Sequence, residues 1–157
     1  MTEKNIFFKS IFDHQIEILT IGDLNTNIPT LILLHEGLGS VSMWRNIPEL
    51  IHQKTQLNVV AYSRPGYGNS SKISLPRPLD YMSNEATSIL PELLHKLKLK
   101  KIILIGHSDG GSIAAIHAGL KGRDKILGCI LVAPHFFAES ISTVSYTHLR
   151  AHETDYY

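Results

Sequence analysis

The chain has a single cysteine, Cys129, and a single tryptophan, Trp44. One cysteine excludes an internal disulfide, so nothing covalent staples the fold. Set in the apolar run 126–133, that thiol reads as a small buried strand residue. Neither sign of charge is in real excess: 15 Lys and Arg stand against 14 Asp and Glu, a net charge of +1. Such a balance provides no field to draw in nucleic acid or an anionic membrane surface. Long hydrophobic runs are also missing, and none approaches the roughly 18 apolar residues that a bilayer-spanning helix needs. Residues 1–11 interleave Glu3, Lys4 and Lys9 with apolar side chains, which breaks the apolar stretch a secretory signal requires. These absences point to a soluble, cytoplasmic, reducing setting, with no nucleic-acid partner and no membrane.

What is present suffices for one core. Hydrophobic residues make up 43% of the 157 and charged residues 18%, a composition that supports a packed domain rather than disorder. Segments 7–12 and 16–21 read as two strands joined by a turn. The runs 30–34, 57–62, 101–105 and 126–133 are short and nearly all apolar, as strands buried on both faces are. Between them, 40–53, 81–97 and 108–120 have helical spacing, the first with Trp44, Ile47, Leu50 and Ile51 along one face. Pro48 marks a kink or a later start in its helix, and Pro91 a break or kink near Ile89 and Leu90. Buried strands alternating with helices predict an α/β fold, a mostly parallel sheet covered by helices on both faces.

Three loops that follow buried strands carry chemical interest. Gly106-His107-Ser108-Asp109-Gly110-Gly111 comes directly after one strand and opens a helix. A turn that tight, flanked by glycines that remove colliding side chains, pushes a serine Oγ out of the sheet and sets it at a positive helix end. A glycine-bearing turn without chemistry is the bland alternative, and the flanking strand and helix favour the functional one. Leu34-His35-Glu36-Gly37-Leu38-Gly39-Ser40 follows the run 30–34. Ser63-Arg64-Pro65-Gly66-Tyr67-Gly68-Asn69-Ser70-Ser71 follows the run 57–62. Taken alone, its glycines and proline are ordinary turn chemistry. Arg64 is open between reaching a substrate and capping a neighbouring carbonyl.

In their order and their strand contexts, these loops resemble the α/β-hydrolase fold superfamily of the serine-hydrolase type, over about residues 7–137. The resemblance implies a nucleophile at Ser108 and an oxyanion hole made by the backbone N–H groups of Asp109 and Gly37. Glu36 is the alternative loop donor, because it stands where the commoner motif has glycine. His35 is implied to brace its loop, and Ser63 stands where the family often has an acid. The implied activity is hydrolysis of a small ester, lactone or thioester through an acyl-enzyme, with no cofactor and a small-molecule acyl substrate as the only partner. Oligomeric state is not readable.

The family's order is Ser, then Asp or Glu, then a late His, and the chain supplies no strand to carry that His. The expected architecture is therefore a sheet truncated after about the sixth strand, inactive or weakly active as it stands. A catalytically dead fold that binds a ligand or partner is the rival reading. His135, just past the run 126–133, is expected to line a pocket or pack, and Glu139 to start a helix in solvent. Residues 144–154 resemble a translated sequencing adapter, so 1–143 is read as the N-terminal part of the hydrolase domain and 144–157 as a non-native tail. His148 and His152, four apart within it, carry no third ligand, and no metal is assigned.

Overall fold

A computed structural model describes residues 4–120 and 125–136 of the chain. The tail 144–157, Glu139, His148 and His152 lie outside the described residues.

β1 (Lys4–Ile11) and β2 (His14–Ile21) form an antiparallel hairpin closed by Ile11 opposite His14. β2 runs antiparallel to β4 (Asn58–Tyr62). From there the sheet is parallel: β4 beside β3 (Thr30–Leu34), then β5 (Ile102–His107), then β6 (Ile126–Val132). The order β1-β2-β4-β3-β5-β6 is thus a mostly parallel six-stranded sheet, the architecture expected from the sequence.

The all-apolar strand runs are explained by the two cores. Ile32, Leu34, Val60, Tyr62 and Leu104 face one side, where they meet Leu90, Leu93 and Ile113 from helices α3 (Leu90–Lys96) and α4 (Asp109–Gly119). Their alternating neighbours Leu31, Leu33, Val59 and Ala61 face the other side, against Val41, Trp44 and Ile51. Ile51 belongs to α1 (Ile47–Thr55). Strand side chains alternate between faces, so a strand covered on both must be apolar throughout. Each fully buried Leu or Ile contributes roughly 1.5–3 kcal/mol of burial free energy.

Two details differ from expectation, and the break ahead of Pro91 falls where the sequence puts it. β6 is not buried on both faces: Leu127, Ile130 and Val132 are about half exposed, at 57%, 51% and 47%. It is the edge strand of the described sheet, and α4 packs against it from one side only. Cys129 is accordingly half-buried, and that burial pushes its thiol pKa up. In the first helix, Pro48 sits in the opening turn of α1, where its missing N–H has no partner to lose. A separate 3-10 turn, Ser42–Trp44, precedes it, and Ile47 and Leu50 are exposed while Trp44 and Ile51 pack. The segment 81–97 is α2 (Tyr81–Asn84), a π-helical turn (Glu85–Ile89) and α3. The wide turn lies immediately before Pro91, whose ring and missing N–H are incompatible with an unbroken α-helical ladder there.

The parallel register brings the carboxyl ends of β3, β4, β5 and β6 to one edge, with Leu34 opposite Gly106 and His107 opposite Val132. The three loops of interest converge there, as ligand sites in open α/β sheets do. Among the described residues no helix is long and apolar enough to cross a membrane.

Candidate active site

Ser108 occupies the hinge between β5 and α4 with φ 53° and ψ −118°. A non-glycine residue held there costs about 1–3 kcal/mol and persists only where its surroundings over-determine it. Those surroundings are visible. The Ser108 N–H donates to the Val132 carbonyl at 2.8 Å, and the Ser108 carbonyl accepts from Gly111 and Ser112 at 2.9 and 3.1 Å. A Cβ on Gly106 would lie 2.1 Å from the Gly110 oxygen, and one on Gly110 would lie 2.0 Å from the Leu34 oxygen. Both contacts are with backbone, so the turn closes only with glycine at each position. Gly110 also presses the elbow onto the start of the His35 loop. Asp109 opens α4 and is buried. Its N–H has no carbonyl one turn back to bond and stands at the positive helix end.

His135 is not a packing residue. It is exposed, and its Nε2 lies 2.7 Å from Ser108 Oγ. Its backbone is pinned to the helix that follows Ser108: the His135 N–H donates to Ser112 Oγ at 2.9 Å, and that hydroxyl donates to the His135 carbonyl at 2.8 Å. Sequence reasoning missed this contact because it sought a base where the family places one. A partial signal was available, since His107 and Val132 are paired at the ends of parallel strands, which brings the segments that follow them to the same edge. Among the described residues, no carboxylate lies within ion-pair distance of His135.

The loop after β3 is braced from below. His35 is buried, and that burial together with the nearby Arg64 charge lowers its pKa to about 3, against an opposing bond with the Glu36 backbone. The ring is therefore neutral, with Nδ1–H donating to the Glu36 carbonyl at 2.6 Å and Nε2 accepting the Arg64 backbone N–H at 3.1 Å. His35 is a loop brace, as its motif implied. Arg64, left open by the sequence, caps a carbonyl: its Nη2 donates to the Glu36 oxygen at 2.8 Å. The guanidinium is buried over the Tyr67 ring, 4.9 Å from its centre. Its Nη1 is 3.8 Å from Asp109 Oδ2 and has no hydrogen-bond partner among the described residues. Asp109 Oδ2 accepts from the Tyr81 hydroxyl at 2.7 Å. Gly37 is buried at the middle of the braced loop, and Glu36 turns its carboxylate to the Leu38 N–H at 2.6 Å.

Ser63, in the place of a family acid, is fully buried and structural. Its hydroxyl donates to Glu17 Oε2 at 2.7 Å and accepts the Val41 N–H at 2.9 Å. Glu17, on β2, also receives Asn69 N–H at 3.1 Å and Asn69 Nδ2 at 2.6 Å. Burial pushes the Glu17 carboxyl up, but the bonds from Ser63 and Asn69 outweigh it and hold the pKa below the ordinary value. The acid of this corner comes from a strand 46 residues upstream of Ser63, which no local motif announces. Deeper in, the Tyr62 hydroxyl donates to Glu85 Oε1 at 2.6 Å, and burial raises the pKa of that carboxyl. The described residues contain no group of side chains arranged to hold a metal ion.

Fold and loops together define the class. A sequence profile of the alpha/beta hydrolase fold matches residues 29–152, and the chain belongs to that family. Over 110 residues it is 33% identical to the 1-acylglycerol-3-phosphate O-acyltransferase ABHD5 of Rattus norvegicus, covering 69% of this chain and 30% of that protein. Over 107 residues it is 27% identical to the (lyso)-N-acylphosphatidylethanolamine lipase of Bos taurus, covering 68% of this chain and 30% of that one. The chain thus spans about 30% of the length of these curated relatives. Naproxen esterase (carboxylesterase NP) from Bacillus subtilis superposes with a TM-score of 0.73 at 21% identity, over 93% of this chain and 49% of that structure. That likeness is one of fold.

Proposed function

We propose that this chain carries the nucleophilic half of a serine hydrolase acting on a small ester, lactone or thioester. The observation that carries the reading is Ser108 itself: a non-glycine residue held at φ 53° on a strand-to-helix hinge, its Oγ hydrogen-bonded to an imidazole at 2.7 Å. Backbone strain that persists at a polar residue beside a candidate base is the mark of a prepared nucleophile.

In this reading Ser108 Oγ attacks the acyl carbonyl carbon while its proton passes to His135 Nε2. The C=O electron pair moves onto oxygen, where the N–H groups of Gly37 and Asp109 receive it. Collapse expels the alcohol or thiol, which takes the proton from His135, and leaves an acyl-enzyme on Ser108. Water then repeats the sequence and frees the acid. An alcohol in place of water would give acyl transfer, the reaction named for the rat relative. With no described carboxylate to orient His135, deacylation is expected to be slow.

The test is a burst assay with p-nitrophenyl acetate. The reading expects nitrophenolate release approaching one equivalent per chain, then a slow phase, with the burst abolished in Ser108→Ala. A burst of equal size in Ser108→Ala, or none in the folded parent, favours the rival reading of a fold that binds without turnover. That rival draws its support from the same lack of a carboxylate beside His135 among the described residues.

A further inference from the structure

We propose that Arg64 is a positioning residue for the oxyanion hole: it holds the Glu36 carbonyl and so aims and polarises the Gly37 N–H. The inference rests on the serine chemistry proposed above and concerns how its hole is built.

A peptide group is planar and trans, so its C=O and N–H point in opposite directions. The carbonyl of Glu36 and the N–H of Gly37 belong to one such group. Three donors converge on that carbonyl: Arg64 Nη2 at 2.8 Å, His35 Nδ1 at 2.6 Å and the Gly39 N–H at 3.1 Å. With the oxygen anchored downward, the Gly37 N–H is turned away from the buried cation. The bond from Arg64 is also charge-assisted, and polarising a carbonyl strengthens the N–H of the same peptide as a donor. The same guanidinium also stands beside the side chain of Asp109, with Nη1 3.8 Å from its carboxylate. Arg64 therefore holds the Gly37 peptide directly and pairs with the side chain of the residue that supplies the second donor.

The burial is costly. Arg64 is 1% exposed, and one of its three nitrogens has no hydrogen bond among the described residues. A loop carbonyl needs only a neutral donor for satisfaction, and His35 already supplies one. A charge-assisted bond does more than satisfy it, because it is roughly twice as strong as a neutral one. The geometry also selects between the two loop donors left open by the sequence. Gly37, not Glu36, has its peptide carbonyl fixed by the cation.

The experiment uses the full chain, labelled with 15N, and phenylboronic acid as probe. Boron accepts a lone pair from Ser108 Oγ, the Oγ proton passes to His135 Nε2, and the tetrahedral anion mimics the oxyanion. The Gly37 amide proton is expected to move downfield on saturation, as is that of Asp109, while Glu36 stays. Arg64→Met is expected to weaken boronate binding by about 10²-fold, the scale of losing one oxyanion donor, and to abolish the Gly37 shift. Arg64→Lys, which keeps the charge but not the fork, is expected to fall between.

Boronate bound with Glu36 shifted and Gly37 unmoved overturns the proposal. So does undiminished boronate affinity in folded Arg64→Met. Should neither Arg64 variant fold, the shifts in the parent chain decide. No boronate adduct together with no serine labelling sinks the serine chemistry itself. An adduct at Ser108 with an unmoved Gly37 sinks the role of Arg64 alone.

Discussion

Ser108 Oγ and His135 Nε2 stand 2.7 Å apart, joined across the ends of two parallel strands. Ser112 ties the His135 backbone to the helix that follows Ser108. Replacing His135 with Gln keeps a polar side chain but removes the proposed base. The rate at which a fluorophosphonate labels the chain should then fall by about 10²–10⁴, the usual contribution of general-base catalysis. An unchanged rate would mean that the contact is incidental to reactivity.

The glycines of the elbow are required by backbone contact. Gly110→Ala places a methyl 2.0 Å from the Leu34 carbonyl oxygen, which forces β3 and α4 apart. A loss of about 2 kcal/mol or more in urea unfolding is expected, in line with strain at a special backbone position. Labelling of Ser108 should fall with it, because the elbow and the His35 loop part at the same place. A fully stable, fully reactive alanine variant would contradict the close packing described.

Buried His35 makes the fold sensitive to acid. Its pKa falls from the usual 6.5 to about 3 on folding, so between those values the unfolded chain binds a proton that the native ring refuses. Stability therefore declines as pH drops from about 6.5 toward 3, by at most about 1.4 kcal/mol per pH unit from this group. Urea midpoints measured across that range should show the decline. His35→Gln should flatten it, whereas an identical slope in the variant would assign the acid limb elsewhere.

Glu17 contributes a second part of the acid limb. Its pKa is lowered on folding despite burial, through Ser63 and Asn69. The stability it supplies is complete above the carboxyl's unfolded value and is lost as pH falls through the folded one. Glu17→Gln should cost about 1–3 kcal/mol at neutral pH, since it leaves buried donors facing an amide. Thermal unfolding at two pH values separates this loss from that of His35.

Much of this was legible in the sequence. Three of the four nearly all-apolar runs became β3, β4 and the body of β5, because helices cover both faces of the central sheet. The Gly106–Gly111 motif announced the hinge, since only a strand-to-helix turn needs two glycines so placed. What was hidden depends on register and distance along the chain. The meeting of His135 with Ser108 spans 27 residues, and that of Glu17 with Ser63 spans 46. Arg64 had two readings until the Glu36 carbonyl was seen above it. The half-exposed face of β6 was illegible because an edge strand and a central one can share the same apolar composition.

The most direct measurement is fluorophosphonate labelling of the folded chain, followed by peptide mapping. One adduct, on Ser108, is expected, and none in Ser108→Ala. A folded parent chain that takes no label, or takes it equally well without Ser108, would contradict the central claim that this hinge holds a reactive nucleophile.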